Sequence, residues 1–304
     1  SKTNASVRRG DADYYFKKAI GWSQVGNAQK TFRSVENSVC GTATPTIYLK
    51  DTKLYNYVLA FLNTKIAYEY LVAYNPTINL LTTDICNLPL IIREELICKL
   101  DAMVNECIEF EKVDWDSFET SWDFQRHPLL RKVSTISEAF EQWQNECDSR
   151  FNQLKSNEEE LNRIFIDIYG LQDELTPEIE DKDVTVRKAD LGRDIRSFIS
   201  YAVGCMFGRY SLDVDGLAYA GDEWDASKYT SFAADKDNII PICDDEYFED
   251  DIVGLFVEFV KTVYGADTLD ENLKFIADAL GGKGQPKDVI RKYFLSEFYS
   301  DHCK

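Results

Sequence analysis

Residues 54–92 constrain the fold most, because they combine a helical repeat of apolar residues with a proline that stops it. Apolar residues recur at steps of three or four, so they share one face of a helix: Leu59, Leu62, Ile66, Tyr70 and Ala73. Asn75-Pro76 ends this helix, since the residue before a proline is pushed out of the helical region. A short extended run follows, and a second helix is predicted from Arg93. This order is also typical of a buried helical hairpin in any α/β domain.

The whole chain predicts an α+β fold, in which a small mixed α/β part precedes a mainly helical body. Residues 1–50 contain short runs separated by glycines and Pro45, which predicts strands and turns. Helical repeats dominate after residue 93. With 304 residues, 44% of them hydrophobic, the chain can form two or three compact units. No apolar run reaches the roughly 18 residues of a membrane span, so we expect no membrane association.

Several predicted helices have marked ends. Thr135 and Glu138 form a capping box that opens a long helix, and Gly170 ends it. Residues 194–210 form the most apolar helix, with Asp194 as its expected cap. Helices are also predicted over 93–113 and in three segments after residue 250, whereas the connector 171–193 contains one predicted strand, 184–186.

Charge divides the chain at residue 92. The chain carries 34 Lys and Arg and 53 Asp and Glu, a net charge of −19. Residues 1–92 hold 10 basic and 6 acidic residues, a net of +4, so the remainder has a net of −23. A basic module on an acidic body favours one nucleic-acid-facing part and one solvent- or partner-facing part, although compositional drift gives the same totals.

The candidate nucleic-acid contacts lie in the basic part. Lysine and arginine bind both phosphates and base edges, and four of them cluster here: Lys17, Lys18, Lys30 and Arg33. Trp22 is a fifth candidate, since its ring could stack on a base, but a strand tryptophan is more often part of a core. The argument rests on the cluster, because any one of these lysines alone is typical of a solvated surface.

Catalytic and metal-binding signals are weak throughout. His127 lies near Asp123 without a nucleophile, which favours a structural hydrogen bond. Glu180 and Lys182 resemble loosely the acidic-x-Lys end of a metal-dependent nuclease motif. The acidic run 244–251 is explained by a helix dipole rather than by a metal. The eight cysteines form no C-x-x-C pair, so we expect neither a zinc site nor disulfides, and a cytoplasmic location.

Two motifs of residues 54–92 resemble the closing segment of a target recognition domain, the DNA-reading module of restriction-modification enzymes. In that family a helix with an "LNS/T-K" core precedes an "I-x-x-(L/I)-P" exit, which leads into a spacer helix. Here the core is Leu62-Asn63-Thr64-Lys65 and the exit is Ile85-Cys86-Asn87-Leu88-Pro89. The resemblance implies that helix 93–113 is the spacer.

Longer strings in the same order extend the resemblance over nearly the whole chain: SWDFQRHPLL, NRIFIDIYGLQDELTPEI, DIRSFISYAVGCMFGRYSLD, DNIIPICDDEYFEDDIV and ENLKFIADALGGKG. They are similar to a region of the BREX (bacteriophage exclusion) adenine-specific DNA methyltransferases, the PglX family, and more weakly to related single-chain restriction-modification enzymes. The resemblance implies a parent that methylates adenine in double-stranded DNA with S-adenosylmethionine, alongside other phage-defence proteins.

The catalytic half of that family is missing from the sequence. The family's methyl-transfer motif is Asn-Pro-Pro-Tyr/Phe, and Asn75-Pro76-Thr77 lacks its second proline and its aromatic residue. We therefore expect no catalytic, cofactor or metal residues here, and the start at Ser1 favours a fragment of a larger protein. The expected divisions are 1–92, the end of a target recognition domain; 93–133, spacer helix and aromatic loop; and 134–304, an acidic helical domain. An acidic partner-binding or DNA-mimicking module and a metal-dependent nuclease are the alternatives.

Overall fold

A computed structural model describes residues 12–26, 31–41, 43–221 and 223–303. These residues form a small antiparallel sheet and a larger set of helices, which confirms the α+β class. The strands are β1 (Ala19–Trp22), β2 (Phe32–Val35) and β3 (Thr46–Ile47). The helices are α1 (Tyr55–Leu62), α2 (Lys65–Tyr74), α3 (Thr82–Cys86), α4 (Ile97–Asp116), α5 (Ile136–Tyr169), α6 (Leu191–Met206), α7 (Ile252–Tyr264), α8 (Leu269–Ala279), α9 (Pro286–Ser296) and α10 (Phe298–His302).

The described residues separate into two compact units, each with its own core. The first unit contains the described residues up to 111 together with 152–185, and the second contains 112–151 and the described residues from 186 onward. The functional divisions expected after residues 92 and 133 stay predictions. The divisions between the compact units fall inside helices α4 and α5 and near residue 185. Periodicity could not place them, because one continuous helix gives the same repeat whichever core it contacts.

The sheet of the first unit has the order β2-β1-β3, and both pairs are antiparallel. Its inner face buries Ile20, Trp22 and Phe32 in a core that includes most of α1 and residues 161–166 of α5. Strand β1 is buried along its whole length because it is the central strand. This small sheet carries the surface described below.

The single helix predicted across Leu59 to Ala73 is wrong: Asn63 and Thr64 divide it into α1 and α2. The Asn63 side chain leaves the helix to bind the free edge of β2. It accepts from the Phe32 amide at 2.9 Å and donates to the Phe32 carbonyl at 3.0 Å. Thr64 then caps α2 by accepting from the Ala67 amide. The break therefore fixes β2 against the helices.

The other residues of the LNTK core and of the exit motif that ends at Pro89 also hold parts of the first unit together. Lys65 donates to the carbonyls of Thr176 and Glu178 at 2.9 and 2.6 Å, so it holds the connector after α5. Helix α2 ends at Tyr74, as Asn75-Pro76 predicts. The short helix α3 was not predicted. Beyond it, the Tyr169 hydroxyl donates to the Pro89 carbonyl and fixes the exit that leads to α4.

The second unit is organised around α6, whose apolar face is fully buried with α7 and the first half of α5. The cap of α6 is Asp190, which accepts from the Arg193 amide at 2.7 Å, so the expectation for Asp194 is wrong. Asp194 lies one turn inside the helix, where it accepts from the Trp143 indole at 3.0 Å. Thr135 caps α5 by accepting from the Glu138 amide, and the helix ends before Gly170, as predicted. The Glu138 carboxylate accepts from the Ser134 amide rather than from that of Thr135, so the second bond of the predicted capping box is displaced by one residue.

One further expectation for this part of the chain fails. No strand forms at 184–186 in the described connector, since Val184 and Val186 are buried as single side chains. In the aromatic loop 114–131, Phe124 is buried, but Trp122 is fully exposed and Trp115 is half-exposed. His127 is structural as expected: it is buried, its Nε2 lies 3.2 Å from Ser197 Oγ, and burial lowers its pKa to about 3.

Candidate nucleic-acid interface

The outer face of the sheet in the first unit presents basic side chains. Side chains alternate between the two faces of a strand, so Arg33 lies opposite the buried Phe32, and it is exposed. Arg33 is paired across the sheet with Gly21, which is paired in turn with Thr46. Arg33 and Thr46 are thus two strand spacings, or about 10 Å, apart.

Two tyrosines continue this face from Thr46 to Lys17. The hydroxyl of Thr46 lies 3.3 Å from that of Tyr48. The Tyr48 and Tyr14 ring centroids are 4.7 Å apart, and Lys17 Nζ lies 5.6 Å from the Tyr14 centroid. We call Tyr14, Lys17, Arg33 and Tyr48 the outer sheet cluster.

Gly21 lets the middle of this face stay flat. A Cβ at this position would lie 2.9 Å from Val35 Cγ2, closer than side-chain packing allows. The absence of a side chain lets Val35 and Thr46 pack over the buried Gly21 between the neighbouring strands. A flat surface with cations at its rim is suited to contact with a polyanion.

Lys18 lies at the edge of the sheet. It forms a 2.8 Å ion pair with Glu36, and its Nζ lies 4.4 Å from the Tyr55 ring centroid. With Lys53 and Asp101 it lines a small cleft of about 190 Å³. Because Lys18 already has a carboxylate partner, it contributes less free positive charge than Lys17 or Arg33.

Trp22 and Lys30 complete the candidate set. Trp22 is 1% exposed, and its indole nitrogen donates to the Leu80 carbonyl at 3.1 Å. Trp22 is therefore a core residue, and its ring is not accessible for stacking on a base. Lys30 lies outside the described residues.

Sequence reasoning missed the aromatic members of the outer sheet cluster. The signal was the run Tyr14-Tyr15-Phe16 directly before Lys17 and Lys18, because aromatic rings interleaved with cations are typical of nucleic-acid-binding surfaces. Phe16 is 63% exposed and has a positive φ of 61°, a conformation that is uncommon outside glycine.

The described residues do not fit a methyl-transfer site or its cofactor. The Asn75 amide is fully engaged: Nδ2 donates to the Asn79 carbonyl and to Asp84 Oδ2, both at 2.7 Å, and Oδ1 accepts from Thr77. It therefore has no free group for a target amine. The three described strands are antiparallel, so none has the parallel strand–glycine loop–helix order of a nucleotide-type cofactor site.

The nuclease candidates form an isolated pair. Glu180 and Lys182 make a 2.7 Å ion pair with each other at an exposed 3-10 turn. No group of three or more histidine, cysteine or acidic side chains among the described residues has the arrangement of a metal site. None of the helices that the described residues form has the length and apolarity that crossing a bilayer requires.

Comparisons with known proteins identify the family. The chain is 45% identical over 298 residues to an adenine-specific methyltransferase PglX of Lacticaseibacillus casei (strain Zhang), and the match covers 94% of this chain and 25% of that protein. It is 32% identical over 336 aligned positions to an adenine-specific methyltransferase BrxX of Escherichia coli O9:H4 (strain HS), covering 100% of this chain and 27% of that protein. No family model matches.

The chain spans about a quarter of the length of these curated relatives. The resemblance stated from the sequence motifs is confirmed, since both relatives carry the predicted activity in their names. Over nearly all of its length, the chain is homologous to part of the BREX adenine-specific methyltransferases PglX and BrxX.

Proposed function

We propose that this chain supplies part of the DNA target recognition of a site-specific adenine methyltransferase in a phage-defence system. The observation that carries the proposal is the outer sheet cluster, where Arg33 is exposed on the outer face of the sheet and Lys17 is exposed beside the tilted ring pair of Tyr14 and Tyr48. Among the described residues, neither cation has a carboxylate partner within ion-pair distance. Unpaired cations release counterions from DNA when they bind its phosphates.

Methyl transfer itself is assigned to the rest of the methyltransferase. Double-stranded DNA is the proposed partner of this chain, and other proteins of the defence system are further proposed partners. S-adenosylmethionine would be bound elsewhere, because Asn75 is engaged internally and the sheet is antiparallel. An enzyme that modifies a base must take it out of the stack, and the proposed role of this chain is to hold the flanking duplex in register. We place the protein in the cytoplasm, where its DNA substrate would lie.

The test is duplex DNA binding by the 304-residue chain across a salt series. The double variant Lys17→Gln/Arg33→Gln is expected to weaken binding about tenfold or more at low salt. It should also make the slope of log K against log[salt] shallower by about two units, because two phosphate contacts are lost. Fluorescence anisotropy with a labelled duplex measures both quantities.

The matched control is Arg163→Gln/Lys182→Gln, which changes the charge of the first unit equally at two exposed residues that each have a carboxylate partner. It is expected to retain the wild-type slope. Equal losses in both double variants would contradict the proposal, because they would show a dependence on net charge alone. A chain that binds a basic protein but no duplex would support the acidic partner-binding alternative.

A further inference from the structure

The second unit contains a cavity with a mixed charged and aromatic lining that the proposed DNA-binding role does not use. Its volume is about 700 Å³, within the range of small-molecule sites. Helix α6 forms one wall, α10 and the end of α9 form another, and residues 118–120 close a third side. We call it the α6–α10 cavity.

The polar side of α6 faces this cavity. Arg193, Arg196, Ser197 and Ser200 line it, and their spacing of three, four and seven residues places them on one face of the helix. The opposite face of the same helix is fully buried in the core of the unit. The amphipathic pattern of α6 therefore brings two guanidinium groups and two hydroxyls to one wall.

A third arginine, Arg209, completes a cationic set. Its guanidinium has no ion pair with a carboxylate among the described residues, and it is exposed at the cavity. Arg196 is only partly engaged, with Nε 3.2 Å from Asp301 and a terminal nitrogen 4.0 Å from Glu297. Arg193 uses Nε for Asp194 and one terminal nitrogen for the Lys188 carbonyl. Each guanidinium thus has N–H donors left, and guanidinium donors are well suited to phosphate oxygens.

Four carboxylates line the same cavity, Glu119, Asp190, Glu297 and Asp301, and most of them have partners within the protein. Asp190 is engaged as the cap of α6, and Asp301 is engaged with Arg196. Glu119 has a buried Oε1 with no hydrogen-bond partner. Burial raises the pKa of Glu119, whereas the charge of Arg209 and hydrogen bonds of Ser200 and Tyr210 oppose that rise.

Aromatic rings make the cavity larger and less polar than a phosphate requires. Phe118, Tyr293 and Phe298 line it, and His302 stacks on Phe298 with ring centroids 5.2 Å apart. We infer that the α6–α10 cavity binds a nucleotide, whose phosphate group is held by Arg193, Arg196 and Arg209 and whose ring packs among these aromatic side chains. This site does not depend on DNA binding by the first unit.

Calorimetric titration of the 304-residue chain with adenosine 5′-monophosphate tests the inference. The nucleotide is expected to bind more tightly than inorganic phosphate, and adenosine is expected to give no measurable heat. Arg209→Gln should weaken nucleotide binding at least tenfold. The matched control Arg126→Gln removes an exposed arginine of the same unit that does not line the cavity, and it should bind as the wild type does.

A stability control and a competition experiment complete the test. Arg196→Gln is measured beside Arg209→Gln, and both are checked for wild-type thermal unfolding, so that loss of binding is not loss of fold. A short 5′-phosphorylated duplex that displaces the nucleotide, when the unphosphorylated duplex does not, would assign the site to a DNA end. If neither duplex displaces the nucleotide, the site is assigned to a free nucleotide. No binding of the nucleotide, or equal binding by Arg209→Gln and Arg126→Gln, would overturn the inference.

Discussion

Replacing Asp251 with alanine is expected to destabilise the second unit by about 3–5 kcal/mol, because the change breaks a buried ion pair from one side. Asp251 is 1% exposed and caps α7 by accepting from the Val253 and Gly254 amides. Arg291 donates to both of its oxygens, at 2.7 and 2.8 Å. Alanine would leave the guanidinium without its partner and two helix amides without an acceptor.

Urea unfolding followed by near-ultraviolet circular dichroism measures this loss as a lower free energy of unfolding. The control is Glu249→Ala, which removes an exposed carboxylate two residues earlier in the acidic run and should stay within about 0.5 kcal/mol of the wild type. Equal stability of the two variants would show that the pair contributes nothing. Either way the experiment separates one structural carboxylate from the acidic run that precedes α7.

Replacing Glu158 with glutamine is expected to stabilise the protein above pH 7, by at most about 3 kcal/mol. Glu158 lies on α5 within the first unit, where burial and, second to it, the charge of Glu111 raise its pKa to about 7. Since its ordinary value is 4.5, the folded state binds the proton more tightly than the unfolded state does. Stability therefore falls as the pH rises from about 4.5 to 7, and it stays low above that range.

The pH dependence of the free energy of unfolding checks this expectation. Wild type should lose stability between pH 5 and 8, relative to Glu158→Gln, whose curve should be flatter over the same interval. Glu109→Gln changes an exposed carboxylate on α4 and should follow the wild-type curve. A Glu158→Gln protein that is less stable than wild type at pH 8 would contradict the assignment of a destabilising buried charge.

Local signals predicted the helices well, whereas contacts between distant residues decided the rest. Thr135, Glu138 and Gly170 mark the ends of α5 because capping depends on residues within one turn. The break at Asn63 was missed because its cause is the backbone of Phe32, 31 positions earlier. The apolar repeat on either side continues across the break, so periodicity predicted one helix.

The candidate surface was also predicted only as far as local sequence determines it. Charge predicted Lys17 and Arg33. The register of β1 with β2 and β3 places Arg33 on the outer face, and the contacts of Thr46, Tyr48 and Tyr14 connect that face to Lys17. The burial of Trp22 depends on the Leu80 carbonyl, which no local pattern encodes. The polar face of α6 was overlooked, because its apolar positions dominated the interpretation.

Mapping the DNA contacts of the chain tests the central claim most directly. The 304-residue chain would be bound to a duplex that contains 5-bromodeoxyuridine, irradiated and digested, and the cross-linked peptides identified by mass spectrometry. We expect cross-links in the peptides that carry residues 14–18, 33 and 48, and their loss at high salt. Cross-links confined to peptides of the second unit would contradict the assignment of the outer sheet cluster as the DNA-binding surface.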